Sequence, residues 1–149
     1  MSLSPPLVAM AILYREGKFL MQLRDDVPGI LYPGYWGLFG GHLELNETPQ
    51  EGVIREIKEE IDYQLTQPQK FRCYTDSRAV RYIFYAPLKS EIQALELREG
   101  WDLNLIPPSN IIRGVYYSHK AGEEKPLGDI HRRILLDFIK SGLENFEQF

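Results

Sequence analysis

Apolar positions along the chain fall into short blocks separated by turn-forming residues. Residues 7–13 are apolar, Arg15-Glu16-Gly17-Lys18 interrupts them, and residues 19–23 resume, which predicts a β-hairpin. Segment 25–35 holds Pro28, Gly29, Pro33 and Gly34 and reads as a loop. Trp36-Gly37-Leu38-Phe39 reads as a short strand stopped by Gly40 and Gly41. Thr48-Pro49-Gln50-Glu51 then marks a helix start twice over. Thr48 and Glu51 have capping-box spacing, and Pro49 falls at the first helical position, where its missing N–H costs nothing. The helix is expected over 49–61, with Val53, Ile54, Ile57 and Ile61 as its apolar stripe.

Further along, 71–74 and 80–86 are rich in aromatic and β-branched residues and predict strands. Residues 95–98 alternate as a short strand before a Glu99-Gly100 turn, and Pro107-Pro108-Ser109-Asn110 ends another alternating stretch. Ile130, Ile134, Leu135, Phe138 and Ile139 have helical spacing, with Lys140 in the last turn and Gly142 as the stop. The order predicts an α/β (α+β) chain forming one domain over 1–149, with 1–6 as a flexible N-terminal segment.

Composition narrows the class. With 44% hydrophobic and 26% charged residues, the 149-residue chain can build a core and is not a disordered sequence. The longest apolar run, residues 7–14, is far short of the roughly 18 a membrane span needs, and no secretory signal is visible. Lys and Arg total 17 against 21 for Asp and Glu, a net charge of -4. That balance argues against a nucleic-acid partner and leaves small phosphorylated ligands open. The one cysteine, Cys73, excludes an internal disulfide, suits a reducing cytoplasm, and is expected to be buried in its strand.

The chemistry concentrates on the first helix. At about 100° per residue, Glu56, Glu59 and Glu60 share an arc of roughly 100° beside the apolar stripe. Like charges at i,i+3 and i,i+4 destabilise a helix by a few tenths of a kcal/mol each. Lys58 projects elsewhere. Such a trio is either a solvated acidic face or a site for a hard cation such as Mg²⁺ or Mn²⁺.

The surrounding residues bear on that choice. Gly41, Glu47, Arg55, Glu56, Ile57, Glu59, Glu60 and Tyr63 together resemble the Nudix box, G-x5-E-x7-R-E-U-x-E-E-x-G-U with U aliphatic or aromatic. Every fixed position matches except the last glycine, which is Asp62. The preceding Trp36 to Gly41 segment is also similar to the family, with Phe39 where many members carry proline. Asp tolerates the left-handed conformation expected just past the helix end, so the departure bears on stability rather than on the glutamates.

The resemblance implies an α/β/α sandwich with a mixed central sheet, and hydrolysis of a nucleoside diphosphate linked to another moiety. It implies that Glu56, Glu60 and Glu59, with the Gly40 carbonyl, hold Mg²⁺ (or Mn²⁺), that Arg55 orients Glu56, and that Glu47 braces Arg55. The proton of the attacking water would go to Glu56 or to a glutamate outside the box, for which Glu99 is the candidate. Gly41 and Arg24 are candidates for the diphosphate, Arg24 otherwise pairing with Asp25 or Asp26. Tyr35 and Tyr32 are candidates for stacking on a base. Oxidised nucleoside triphosphates, ADP-ribose, nucleotide sugars and dinucleoside polyphosphates all fit the box. The expected protein is a cytoplasmic enzyme, monomer or homodimer. The rival is a Nudix-fold module that binds a nucleotide without cutting it.

Overall fold

The computed structural model describes residues 4–143. A seven-stranded mixed sheet is built from β1 (Leu7–Arg15), β2 (Lys18–Leu23), β3 (Trp36–Gly37), β4 (Phe39–His42), β5 (Gln69–Thr75), β6 (Val80–Pro87) and β7 (Asp102–Ile106). The main path runs β3-β2-β1-β6-β5, with β4 on β1 and β7 on β2. Only the β1–β6 pair is parallel; the other pairs in this sheet are antiparallel. Helix α1 (Pro49–Ile61) covers one face and α3 (Asp129–Lys140) the other, giving the expected sandwich.

Strand β1 explains why its sequence is apolar without a break. Ala9, Ala11 and Leu13 point to the α1 side, where they meet Val53, Ile57 and Ile61. Met10, Ile12 and Tyr14 point to the α3 side, where they meet Ile134, Leu135 and Phe138. A strand buried on both faces loses the usual polar alternation. The two alanines let α1 lie close to the sheet, which is where its glutamates must reach the strands.

Several expectations need correction. The short strand at 36–39 is broken at Leu38, because the chain leaves β2 there and joins β1; β4 then runs on through Gly40 and Gly41 to His42 instead of stopping. Residues 95–98 are not a strand. Their amides serve the end of α1 instead, Glu96 N–H donating to the Ile61 carbonyl (3.1 Å) and Arg98 N–H to the Glu60 carbonyl (2.9 Å). The Pro107-Pro108 stretch opens a short helix, α2 (Pro108–Arg113), and a hairpin of β8 (Val115–Ser118) with β9 (Glu123–Pro126) follows. Cys73 is exposed, because β5 ends the main path of the sheet. At the N-terminus, residues 1–3 of the segment expected to be flexible lie outside the described residues, while the Pro6 carbonyl accepts from Val80 N–H at 2.9 Å.

Candidate active site

Helix α1 is fixed at both ends by its own sequence. Thr48 Oγ1 accepts from Glu51 N–H (3.1 Å) and Glu51 Oε1 accepts from Thr48 N–H (2.9 Å), closing the expected capping box. At the other end Asp62 is left-handed (φ 52°, ψ 44°), as expected of the residue in the glycine position. It also pairs with Lys58 Nζ (2.7 Å) and with Arg98 Nη2 (3.4 Å), partners that recover part of what a glycine cap would supply.

Arg55 organises the acidic face. Its Nε and Nη2 donate to the two oxygens of Glu47 (2.7 and 2.9 Å), a two-pronged contact that fixes the guanidinium plane. Nη1 donates to Glu56 Oε1 (3.0 Å) and Glu59 Oε2 (3.3 Å), and Nη2 also reaches the His42 carbonyl (3.1 Å). The Arg55 hydrogen bonds, then the Glu44 amide, hold the Glu47 carboxyl down to about 2.

Glu60 faces the other way. Its Oε1 accepts from Gly40 N–H (3.0 Å) and its Oε2 from the buried Gln22 amide (3.2 Å). Burial, then the charge of Glu56, pushes its carboxyl up to about 8, with Glu99 adding a smaller push. Both glycines of the pair are tightly fitted. A Cβ on Gly41 would stand 2.5 Å from the Glu56 carboxyl carbon; one on Gly40 (φ 150°) would stand 2.2 Å from the Ala9 carbonyl oxygen.

These groups open onto a cleft of about 270 Å³ lined by Gln22, Arg24, Asp25, Gly40, Glu56, Glu59, Glu60, Glu99 and Gly100. Five carboxylates therefore share a small space with the single guanidinium of Arg24. A larger, mainly apolar groove of about 620 Å³ lies between the start of α1 and β5–β6. Its charged lining is Glu51, already used as a cap, with Lys70 and Arg72, so the smaller cleft is the one with chemistry to do.

Arg24 lines the cleft without the ion pair to Asp25 or Asp26 that the sequence left open. No salt bridge involves it among the described residues, and its Nε is buried without a hydrogen-bond partner. Glu99 is an exposed turn residue on the same cleft. Tyr35 and Gly41 are not in its lining: Tyr35 lies beside Arg24, whose N–H its carbonyl accepts (3.0 Å), and Gly41 backs Glu56. Tyr32 stacks edge-on against Tyr35 (5.9 Å) and His131 (5.5 Å), and Trp36 is buried in the core.

Two residues were missed. Gln22 carries a signal, being the one polar residue in the apolar run 19–23. His131 shares the helical spacing of Ile134, Leu135 and Phe138, and a histidine on an apolar stripe was there to be noticed.

The donor set fits a hard divalent cation. It consists of carboxylate oxygens, it holds more acids than the Arg24 and Arg55 guanidiniums can pair, and Glu60 is raised by burial and then by the Glu56 charge, so its carboxylate lacks a counter-charge there. As the side chains stand, no three acids among the described residues surround a common point, because Glu56 and Glu59 are drawn onto Arg55. Entry of a cation would have to turn them toward Glu60.

The NUDIX domain family model matches residues 4–138, so the chain belongs to that family. Among curated proteins it is 33% identical over 91 residues to the nucleoside triphosphatase NudI of Escherichia fergusonii, covering 60% of this chain and 63% of that protein. A shorter stretch of 34 residues, 23% of this chain and 30% of the relative, is 50% identical to an 8-oxo-dGTP diphosphatase of Proteus vulgaris. The chain thus spans less than two thirds of the length of these relatives. Among solved structures, a MutT protein from Methanosarcina mazei superposes with a TM-score of 0.69 at 20% identity, covering 96% of this chain and 100% of that one. The NUDIX domain of Shewanella oneidensis NrtR, solved with ADP ribose, superposes at 0.72 and 16% identity, covering 94% and 90%. At these identities the structures establish the fold.

Proposed function

We propose that the protein is a Nudix-type pyrophosphohydrolase that cuts a diphosphate linkage in a nucleoside diphosphate derivative, using Mg²⁺ or Mn²⁺. The carrying observation is the cleft in which Glu56, Glu59, Glu60, Glu99 and Asp25 face one unpaired guanidinium, Arg24. Anionic walls repel a diphosphate unless a cation lies between, and a guanidinium lining the cleft without an ion pair suits the phosphate that the cation does not cover. Glu56, Glu59, Glu60 and the Gly40 carbonyl would hold the ion. When bound, the ion screens the phosphoryl charge and acidifies a coordinated water.

The chain's own groups supply the rest. Arg55 holds Glu56 in place through its Nη1, and Glu47 holds Arg55. Gly41 leaves room for the Glu56 carboxylate. A carboxylate must accept the proton from the attacking water, and Glu56 and Glu99 both face the cleft. Tyr35 sits next to Arg24 and is the aromatic group offered to the nucleoside.

NudI and the 8-oxo-dGTP diphosphatase make a nucleoside triphosphate the first substrate class to try, with ADP-ribose and nucleotide sugars next. We read residues 1–149 as one domain acting as a monomer or homodimer, with neither nucleic acid nor membrane as partner. No helix among the described residues is long and apolar enough to cross a membrane, and the lone Cys73 suits the cytoplasm. The test is a substrate panel read by mass spectrometry, with and without EDTA. Cleavage between phosphates that stops on chelation supports the proposal. Tight nucleotide binding with every compound recovered intact overturns it in favour of a binding module, and undiminished turnover after metal removal overturns the mechanism.

A further inference from the structure

The chain changes partners at Leu38: β3 pairs with β2, β4 pairs with β1, and the Leu38 amide lies at the junction. That amide is buried and needs an acceptor. It donates to Nδ1 of His131, in the first turn of α3, at 3.0 Å. Two residues further on, the Gly40 amide donates to Glu60 Oε1, also at 3.0 Å. One side chain from the helix on the far face of the sheet therefore pins a segment whose next exposed duty is to grip a cleft glutamate.

The imidazole is held from several sides. A Cβ on Gly37 would stand 3.3 Å from its Cε1 and Nε2, and one on Gly128 would stand 2.8 Å from its Cδ2. Tyr32 packs edge-on against it at 5.5 Å. The start of α3 is itself tied to β3, Gly128 N–H donating to the Trp36 carbonyl at 2.9 Å. Burial, then the charges of Arg24 and Arg81, keeps the ring neutral, so Nδ1 has a lone pair to offer and the proton sits on Nε2. Gly40 pairs with Met10 of β1, where the fit leaves no room even for a Cβ. Only Phe39 separates it from Leu38, so the Leu38 amide sets how β4 enters that pairing and where the Gly40 amide lies.

We propose that His131 is a positioning residue for the acidic cleft: by accepting the Leu38 amide it fixes the β3–β4 junction, so that the Gly40 amide meets Glu60 and the cleft keeps its affinity for a divalent cation. The inference rests on the reading of the cleft as a cation site. Residues that orient a metal's ligands typically change affinity by 10–100-fold when removed. A role confined to stability would lower the melting temperature and leave the cation affinity of the folded protein alone.

The test compares His131→Asn, whose side-chain oxygen can take the place of Nδ1, with His131→Leu, which has no acceptor. Amide exchange is followed by NMR in metal-free protein, Mn²⁺ binding by electron paramagnetic resonance, and turnover with whichever panel compound is cleaved. His131→Leu should speed exchange at Leu38 and Gly40 relative to Ile12 in β1, and raise the Mn²⁺ dissociation constant about tenfold or more. His131→Asn should stay within about threefold of wild type on both counts. Should His131→Leu fail to fold, Gly37→Ala, whose methyl presses on the ring, should weaken Mn²⁺ binding in the same direction. Wild-type Gly40 exchange and Mn²⁺ affinity in folded His131→Leu would overturn the proposal. So would equal impairment of the Asn and Leu variants, or a wild-type protein that binds no Mn²⁺. If no panel compound is cleaved yet exchange and Mn²⁺ binding respond as stated, the hydrolase reading falls and the positioning role stands.

Discussion

Glu60 receives the Gly40 amide on one carboxylate oxygen and the Gln22 amide on the other, so a helix residue is stitched to two separate strands of the sheet. Glu60→Gln keeps the shape and removes the charge. The fold should hold, because a carboxyl already pushed up to about 8 gives little away on becoming a neutral amide. Turnover should drop at least about 100-fold, since one neutral ligand weakens both charge screening and water activation. Steady-state kinetics at saturating Mg²⁺ check this. A variant retaining a tenth of the wild-type kcat removes Glu60 from the ion's ligands.

Glu99→Gln separates the two assignments of the base. Glu99 stands in an exposed turn, so its substitution should leave the melting temperature within a degree or two. If it accepts the water proton, kcat should fall about 100-fold or more with Mn²⁺ affinity little changed. A near-normal rate leaves Glu56, or another carboxylate, as the acceptor.

The paired glycines should fail in different ways. Gly41→Ala drives a methyl into the Glu56 carboxylate, which Arg55 restrains, and should cost at least about tenfold in kcat while the protein stays folded. Gly40→Ala meets backbone, the Ala9 carbonyl, at a positive φ that disfavours any side chain. It should be destabilised by roughly 2–4 kcal/mol. Denaturant melts beside rates on the same two variants separate these outcomes.

Much of this was legible in advance. The capping box, the apolar stripe and the glutamate trio are all local to one helix, and local periodicity is what a sequence displays most plainly. In the stretch 95–98, alternation alone does not reveal that the amides bond to the end of α1 and not to a strand. The exposure of Cys73 is not local either, because burial depends on where a strand falls in the sheet, and β5 falls at the end of the path. The role of His131 is invisible in the sequence because its partner, the Leu38 amide, is 93 residues away and belongs to a junction between strands that no pattern marks.

Asp62→Gly weighs two opposed effects. Glycine relieves a left-handed backbone, but the substitution also deletes the contacts to Lys58 and Arg98 and loosens the unfolded chain. Exposed pairs contribute little each, so the opposed effects should largely cancel and the urea midpoint should move little, with kcat unaltered. A clear fall in the midpoint would mean that the pairs outweigh the relief of the left-handed backbone.

Acid should act through His131. Its folded value is held down to about 3, against an ordinary 6.5, so the unfolded chain takes up the proton first. Its contribution to stability is then complete above about 6.5 and drains away as the pH falls toward 3. Glu60 works in the opposite sense, being raised in the folded state, but it is common to wild type and variant. The stability difference between wild type and His131→Asn should therefore shift in the variant's favour on acidification from pH 7 to 4, as urea melts across that range would record.

The bracing of α1 has an implication for how such a protein can diversify. Glu47 grips Arg55, Glu51 and Thr48 clasp each other, and Arg55 reaches back to the His42 carbonyl, so residues 42–60 are cross-linked within themselves. One residue inserted between His42 and Thr48 would pull Glu47 off Arg55 and misalign Gly41 with Glu56. Segment 95–98 adds to that bracing at the far end, its Glu96 and Arg98 amides holding the last carbonyls of α1. Segment 25–35, which carries Tyr35, takes no part in it. Strand β4 to helix α1 is thus a unit of fixed length, preceded by a loop that can be exchanged without disturbing it.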